Sequence, residues 1–329
     1  MDRSVRHVSK RYESETKNVN FCVLANPVRR CGVRLTAEQH AKVLGCQLIT
    51  DPAEAEKFDF VYLHWHPNFE WQHPVWAKSL RNLTVPAVLV VHDFLYYEPT
   101  QSTFFIATFD RNAAPNADAV IRMPLQQPYP FVPRTEPDPD MCGFFGFFHS
   151  GKGTWAIADY AARHKKKARF ITTLHPFAPP WVQSEFVEFK ATVKRLGFEI
   201  IDEWLVDQEL ADVMGECGFF IVLHKGQFGA SGSVTSAFAA SRPAFVNASA
   251  FLRHVKPFAK PFRPDKWPSE AELREAQTLV EKARQALDPE VIWKELHKRA
   301  LAKFYSRCYN RESQSDAGIT EESIKQQRR

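Results

Sequence analysis

The sequence predicts an α/β fold of two doubly wound, Rossmann-like domains with a cleft between them, followed by C-terminal helices. Three observations carry this. Short apolar runs alternate with helix-like stretches from Asn20 onward, the pattern of parallel βαβ units. A proline-dense segment, "PLQQPYPFVPRTEPDPDM" from Pro124 to Met141, then breaks the alternation with stiff, extended chain unsuited to helix or central strand. A second alternating series begins directly after it. A chain of 329 residues has the length for two ordinary domains, and a 44% hydrophobic content supplies two cores.

The elements follow in order. Residues 1–18 are charged and aperiodic and are expected to form a flexible arm. In residues 19–135, "NFCVLA" precedes the helical pattern "LTAEQHAKVLG", "FDFVYLHW" precedes "HPVWAKSLRNL", and "PAVLVVHDF" and "ADAVIRMP" read as further strands. In residues 136–266 the strands "CGFFGFF", "ARFITTLH", "FEIIDEWL", "GFFIVLH" and "PAFVNAS" alternate with helices, including "GTWAIADYAARHKKK" and one starting near Ser233. Residues 267–309 change character. Ser269 and Glu272 have the spacing of a capping box ahead of an apolar stripe, and Asp288-Pro289 opens another helix through Trp293, Leu296, Ala300 and Phe304. Residues 310–329 are polar and expected to be a flexible tail.

Composition excludes several classes. Cys22, Cys31, Cys46, Cys142, Cys217 and Cys308 form no CxxC pair and stand at no zinc-finger spacing, so they read as reduced thiols. The N-terminus lacks an apolar signal core, and no run reaches the roughly 18 apolar residues a transmembrane segment needs, so a cytoplasmic setting is expected. The formal charge of +5 allows anionic ligands without singling one out. The basic run Arg163 to Arg169 lies at a helix end, where cations suit the helix dipole.

Ligands of doubly wound sheets bind at the carboxyl ends of the strands, so the loops after strands hold the candidate residues. "GFFHSGKGTW" places Ser150, Gly151 and Lys152 between a strand and a helix, an anion loop without Walker A spacing. "TTLHPF" ends a strand at His175. "FFIVLHKGQFGASGSVTSAFAAS" ends a strand at His224, continues through Lys225 and the turn glycines Gly226 and Gly229, and starts a helix at Ser231, Gly232 and Ser233. Free N–H groups, the dipole and two hydroxyls at that helix start suit a phosphate or diphosphate. Taken alone, Ser-Gly-Ser is also what an ordinary serine N-cap looks like. In the first half, "YLHWHPNFEW" places His64, His66 and Glu70 at a strand end, and "VVHDF" places His92 and Asp93 at another. These are candidates for a base or for acceptor contacts, and equally for aromatic packing beside Trp65 and Trp71. Arg29 and Arg30 stand beside the first glycine turn and could contact an anion or acceptor. His-x-His lacks a third ligand at convincing spacing, so no metal is expected.

In order and spacing these runs resemble two-domain GT-B glycosyltransferases, particularly the large retaining family that includes sucrose and mannosyl transferases. The similarity spans roughly Asn20 to Val255: "NPVRRCGVRLTAEQHAKVLG" looks like that family's first glycine loop and helix, and "PAVLVVHDF" like its strand ending in His-Asp. The resemblance implies that residues 19–135 hold the acceptor and residues 136–266 a UDP-, GDP- or ADP-sugar. Lys152 matches the basic residue that neutralises the donor diphosphate. Gly32 and Val33 match the loop whose amides approach the same phosphates, and Ser231, Gly232 and Ser233 the helix that meets them from the other side. Ser150, Gly151, His175, His224 and Lys225 complete the expected donor site. His92 and Asp93 join Lys152 as catalytic candidates, and Arg29, Arg30, His64, His66 and Glu70 face the acceptor. Ser236 stands where the family carries a ribose-binding Glu, and the family's preceding Glu falls near Gln227 or Phe228. The implied activity is metal-independent transfer of a sugar from a nucleotide sugar to a hydroxyl of a glycan, a small molecule or a modified DNA base. A catalytically silent binding or scaffold protein of the same fold is the alternative that the missing Glu pair supports.

Overall fold

A computed structural model describes residues 19–225 and 230–316. The expected arm at 1–18, the loop glycines Gly226 and Gly229, and the end of the expected tail lie outside the described residues.

The first sheet is built from β1 (Phe21–Leu24), β2 (Gln47–Ile49), β3 (Phe60–Trp65), β4 (Ala87–Val91), β5 (Thr103–Thr108) and β6 (Ala119–Val120), all parallel, in the order β2-β1-β3-β4-β5-β6. Its central strands are buried along their whole length because both faces are covered, which is why they read as unbroken apolar runs. Val23, Tyr62, Val88 and Val90 face one core, and Cys22, Leu24, Val61, Leu63 and Leu89 the other. Helix α1 (Gly32–Leu44) covers the first face and ends at Gly45, whose left-handed φ of 64° lets its N–H close on Ala41 and Lys42. The short helices α2 (Phe69–Gln72) and α3 (Pro74–Leu80) follow β3.

The second sheet comprises β7 (Asp138–Phe145), β8 (Lys167–Ile171), β9 (Glu199–Ile201), β10 (Cys217–Val222), β11 (Ala244–Val246) and β12 (Lys260–Pro261). Helices α4 (Thr154–Arg163), α5 (Pro180–Arg195), α6 (Asp207–Gly215) and α7 (Gly232–Ala239) connect them. The order β12-β11-β10-β7-β8-β9 runs outward in both directions from the β7/β10 pair, the doubly wound arrangement of a dinucleotide-binding sheet. The chain therefore folds into two Rossmann-like domains. The basic run after α4 is spent on acids of its own domain: Lys166 on Asp140, Lys167 on Asp138, and Arg169 on both Glu199 and Glu216.

Helix α8 (Glu270–Ala286) starts with the expected capping box, Ser269 Oγ accepting from the Glu272 amide and Glu272 from the Ser269 amide. Helix α9 (Pro289–Asp316) runs past Tyr309, so the expected flexible tail is helical as far as Asp316. It returns to the first domain and packs on α1 and β5. One apolar cluster consequently runs from Val88 and Val90 through Leu125, Leu287 and Trp293 to Val234 and Val280. The proline segment adds polar ties: Gln39 Nε2 donates to the Leu125 carbonyl at 2.7 Å, and the Leu125 amide to Leu287 at 2.9 Å. No described helix is long and apolar enough to cross a membrane.

Candidate active site

A cavity of about 220 Å³ opens between the domains. Its walls come from the ends of β7 and β8, the loop after β9, the first turns of α1 and α7, and the segment joining the domains. This is the carboxyl side of the β7/β10 switch point, where such sheets leave a crevice.

Two helix N-termini from different domains meet there. Gly32 opens α1 and Gly232 opens α7, and both line the cavity. Neither N-cap, Cys31 or Ser231, closes its helix with a side-chain bond. The Ser231 amide donates to His254 Nε2 at 3.2 Å, and Gly232, Ser233 and Ser236 of α7 line the cavity. Thr36 Oγ1 lies 2.9 Å from Gln126 Oε1, and Gln126 also packs beside Gly232. One linker residue thus holds the two helix starts together.

Lys152, at the end of the turn Ser150–Lys152, projects into this space. Gly146 makes room for it. With φ of +129° this residue sits where side chains are rarely tolerated, and a Cβ would come 2.8 Å from Ser233 Oγ and 3.5 Å from Lys152 Nζ. Protein crowds the Lys152 ammonium, and that desolvation lowers its pKa from 10.5 to about 8. Among the described residues no carboxylate pairs with it. Its charge in turn depresses His149, His175 and His224, each already lowered by burial, and His224 falls to about 4. A crowded cation, helix N-termini and neutral imidazoles outweigh the one carboxylate among the described residues of the cavity wall, the exposed Glu203.

The same cavity has an aromatic and apolar end. Phe147 stacks on Trp204 with centroids 5.7 Å apart, and Ile171, Leu205 and Leu210 line the wall beside them. Thr172 Oγ1, buried in that lining, has no partner.

The expected residues divide. Gly32, Lys152, Gly232, Ser233 and Ser236 all line the cavity, and Ser236 is nearly sealed at 2% exposure. Gly151 corrects the expectation of free loop amides, because its N–H donates to His149 Nδ1 at 3.0 Å and the Lys152 amide to the His149 carbonyl at 2.9 Å. That turn offers an ammonium, not a nest of amides; the Ser150 side chain lies outside the described residues. Val33 is buried in the first-domain core, away from the cavity lining. Ser231 is buried behind Gly232, His224 is tied by its backbone to Asn247, and the Lys225 amide donates to Gly151.

In the first domain, Arg29 and Arg30 are exposed after β1, an interior strand beside which that sheet's strand order reverses. His64 is corrected: at 0% exposure it cannot reach an acceptor. His66 Nδ1 accepts from the Asn68 amide at 3.1 Å, which puts its hydrogen on Nε2, 3.5 Å from Asp93 Oδ2. Burial, then the charge of His175, lowers His66 to about 4, and burial raises Asp93 to about 6. His73, in the segment after β3, meets Phe177, in the loop after β8, with ring centroids 5.0 Å apart, so the two domains' strand-end loops lie side by side. Glu70 turns to Arg81 at 3.5 Å instead of the cleft. Among the described residues no cluster of His, Cys, Asp and Glu has the makings of a metal site.

Sequence reasoning missed Gln126, Gly146, Thr172 and the Phe147–Trp204 pair. Gly146 stood in plain view within "CGFFGFF", but only its φ shows that it is required.

No protein-family model and no curated protein matches the chain. Solved structures do. HepE from Anabaena, crystallised with UDP and glucose, matches with a TM-score of 0.63 over 87% of this chain and 100% of its own at 12% identity. The fold is GT-B. A sucrose-phosphate synthase from Thermosynechococcus elongatus matches with the same TM-score, identity and coverage. AviGT4, a glycosyltransferase of avilamycin A biosynthesis, matches at 0.57 and 15% identity over 87% of this chain and 98% of its own. In a GT-B protein the cavity at the second sheet's switch point is the crevice between the two Rossmann-like halves, which is where Lys152 and α7 stand.

Proposed function

We propose that the protein is a glycosyltransferase that moves a sugar from a nucleotide-sugar donor to a hydroxyl acceptor, with residues 136–266 holding the donor and residues 19–135 presenting the acceptor. One observation carries this reading. Lys152, crowded and without an acid partner among the described residues, shares its cavity with the first turns of α1 and α7 and with the Phe147–Trp204 stack. A nucleoside diphosphate has matching parts, an anionic diphosphate and a flat base. HepE, similar over its whole length, binds UDP-glucose.

In transfer, the bond between the sugar's anomeric carbon and the diphosphate oxygen breaks and its electron pair stays on the phosphate. The acceptor oxygen bonds to that carbon, and its proton passes to a base or to the departing phosphate. Lys152 and the amides of Gly32, Gly232 and Ser233 would stabilise the developing charge without reorganising, which is the main lever a preorganised site has. Ser236 and Thr172 would offer neutral hydroxyls to the nucleotide. His66 and Asp93 are the proposed proton acceptor beside the hydroxyl: His66 is neutral in the free protein, and Asp93, with a pKa of about 6, is a carboxylate above that pH. Arg29 and Arg30 would meet the acceptor. The six cysteines are all free, which accords with a cytoplasmic setting.

Calorimetry with UDP-, GDP- and ADP-sugars tests the reading. At least one should bind, and Lys152→Ala should abolish most of that affinity. A folded protein that binds none of them overturns it. Ser236, in place of a ribose-gripping carboxylate, favours a second reading in which a nucleotide binds without transfer. Tight binding with no sugar release to water or to hydroxyl acceptors would select it.

A further inference from the structure

Three buried histidines form a hydrogen-bonded row behind the carboxyl edge of the first sheet. His40 Nδ1 lies 2.9 Å from His64 Nε2, and His64 Nδ1 lies 2.9 Å from His92 Nε2. The row's ends differ. His40 Nε2 is sealed and without a partner, its ring stacked 4.1 Å from Trp293. His92 Nδ1 is not among the sealed, partnerless atoms, and His92 keeps 8% exposure where His40 and His64 have none. Register fixes the direction of the row. His64 stands opposite Val90 on β4, so His92 projects two residues further toward the carboxyl edge and the cleft.

Burial, reinforced by the charge of nearby imidazoles including His297 beside His40 and His66 beside His92, holds all three pKa values well below 6.5, so the rings are neutral. A neutral imidazole carries one N–H, and each contact along the row uses one hydrogen. Fixing the tautomer of one ring therefore fixes the others. The inner end decides. A hydrogen on His40 Nε2 would be a buried N–H with no acceptor, and orphaned donors are the scarcer and costlier defect; a lone pair there leaves only an unused acceptor. With the lone pair on Nε2, His40 Nδ1–H donates to His64, His64 Nδ1–H donates to His92 Nε2, and the His92 hydrogen is left on Nδ1.

We propose that His40 and His64 are positioning residues that lock His92 in its Nδ1–H tautomer, so that it offers the cleft a hydrogen-bond donor and not a base. Resting on the glycosyl-transfer reading, this gives His92 an oxygen of the bound sugar or acceptor as its partner and leaves proton removal to Asp93 or to the leaving phosphate.

Nitrogen-15 NMR of the ring-labelled, ligand-free chain shows which ring nitrogens carry hydrogen. The expected result is Nδ1–H on all three rings. A lone pair on His92 Nδ1 overturns the proposal, and because neither nucleotide nor turnover is involved, that failure is distinct from failure of the glycosyl-transfer reading. His40→Leu removes the donor to His64 and should leave His92 a mixture of tautomers. His40→Asn, which keeps an N–H in place, should restore the single form. An unchanged His92 tautomer in folded His40→Leu also overturns the assignment. With UDP-glucose as the probe, His40→Leu should lower kcat roughly tenfold at unchanged donor KM, about what one hydrogen bond is worth, with recovery in His40→Asn. Equal losses in both variants would mean a purely structural row.

Discussion

The indole of Trp293 lies on the imidazole of His40 with centroids 4.1 Å apart and planes 16° apart, and its Nε1–H donates to Gln39 Oε1 at 3.2 Å. A residue from the last helix thus closes the core of the first domain, 254 positions away from its hydrogen-bond partner. Trp293 is fully buried. Trp293→Ala should lose about 3–5 kcal/mol of stability in urea unfolding, the usual cost of emptying such a site, with a smaller loss for Trp293→Phe, which keeps the stacking and forfeits the hydrogen bond. An alanine variant as stable as the wild type would mean that α9 is not part of the fold's cooperative core.

Lys152 supplies a pH signature. Its pKa near 8 in the free protein means that an added diphosphate, which favours the charged form, draws a proton from solvent above that pH. UDP affinity should decline as pH rises from about 7 to about 9, with proton uptake visible in calorimetry across buffers of different ionisation enthalpy. Lys152→Ala should weaken UDP binding by roughly 10- to 100-fold, the range of a charge-assisted hydrogen bond, and should flatten the pH dependence.

Gly146→Ala tests whether the open backbone beside Lys152 is needed. The new methyl would meet Ser233 Oγ at 2.8 Å in a backbone region alanine avoids. A stability loss of about 1–3 kcal/mol is expected, with a further fall in UDP affinity as Ser233 and Lys152 are displaced. Unchanged UDP affinity in a folded Gly146→Ala protein would place the phosphate elsewhere.

Asp93 predicts a stability profile. Its folded pKa of about 6 is raised above the ordinary 3.8, so the stability contributed by its protonated form is full below about pH 3.8 and is lost as pH rises through about 6. Asp93→Asn cannot ionise. Relative to the wild type it should gain about 1–3 kcal/mol between pH 4 and pH 7, a two-unit shift tempered by partial exposure. A flat difference between the two proteins over that range would show that the carboxylate is well solvated.

Ser236→Ala should lower nucleotide affinity only about 3- to 10-fold, because a serine gives one neutral hydrogen bond. Comparing UDP with its deoxyribose counterpart in both proteins locates the contact. If the sugar hydroxyl meets Ser236, the variant no longer distinguishes the two nucleotides.

Much of the fold was legible in the chain. Parallel strands covered on both faces must be apolar throughout, and runs such as "PAVLVVHDF" and "GFFIVLH" declare that directly. The capping box at Ser269 was equally local, since its partners are three residues apart. Lys152, Gly232 and Ser233 could be singled out because strand-end loops in such folds face the crevice. Other parts of the site are long-range. Thr36 meets Gln126 across 90 positions, and nothing in either neighbourhood marks the pair. The histidines look interchangeable as letters, yet His64 is sealed while His66 faces the cleft. Alternation alone would send both to one face; they part because His64 lies within β3 while His66 lies beyond the strand's end at Trp65, where the chain turns.

The sequence by itself determined two doubly wound domains, the proline break between them and the strand-end loops that could carry chemistry, because periodicity and turn residues act over a few positions. Only the tertiary structure decided which of those loops meet. Strand order put β7 beside β10, and α9 returned to the first domain, where Trp293 closes over His40. Burial then assigned the charges. The Lys152 ammonium and the Asp93 carboxyl are ordinary in the sequence and acquire their shifted pKa values only where packed protein replaces water around them.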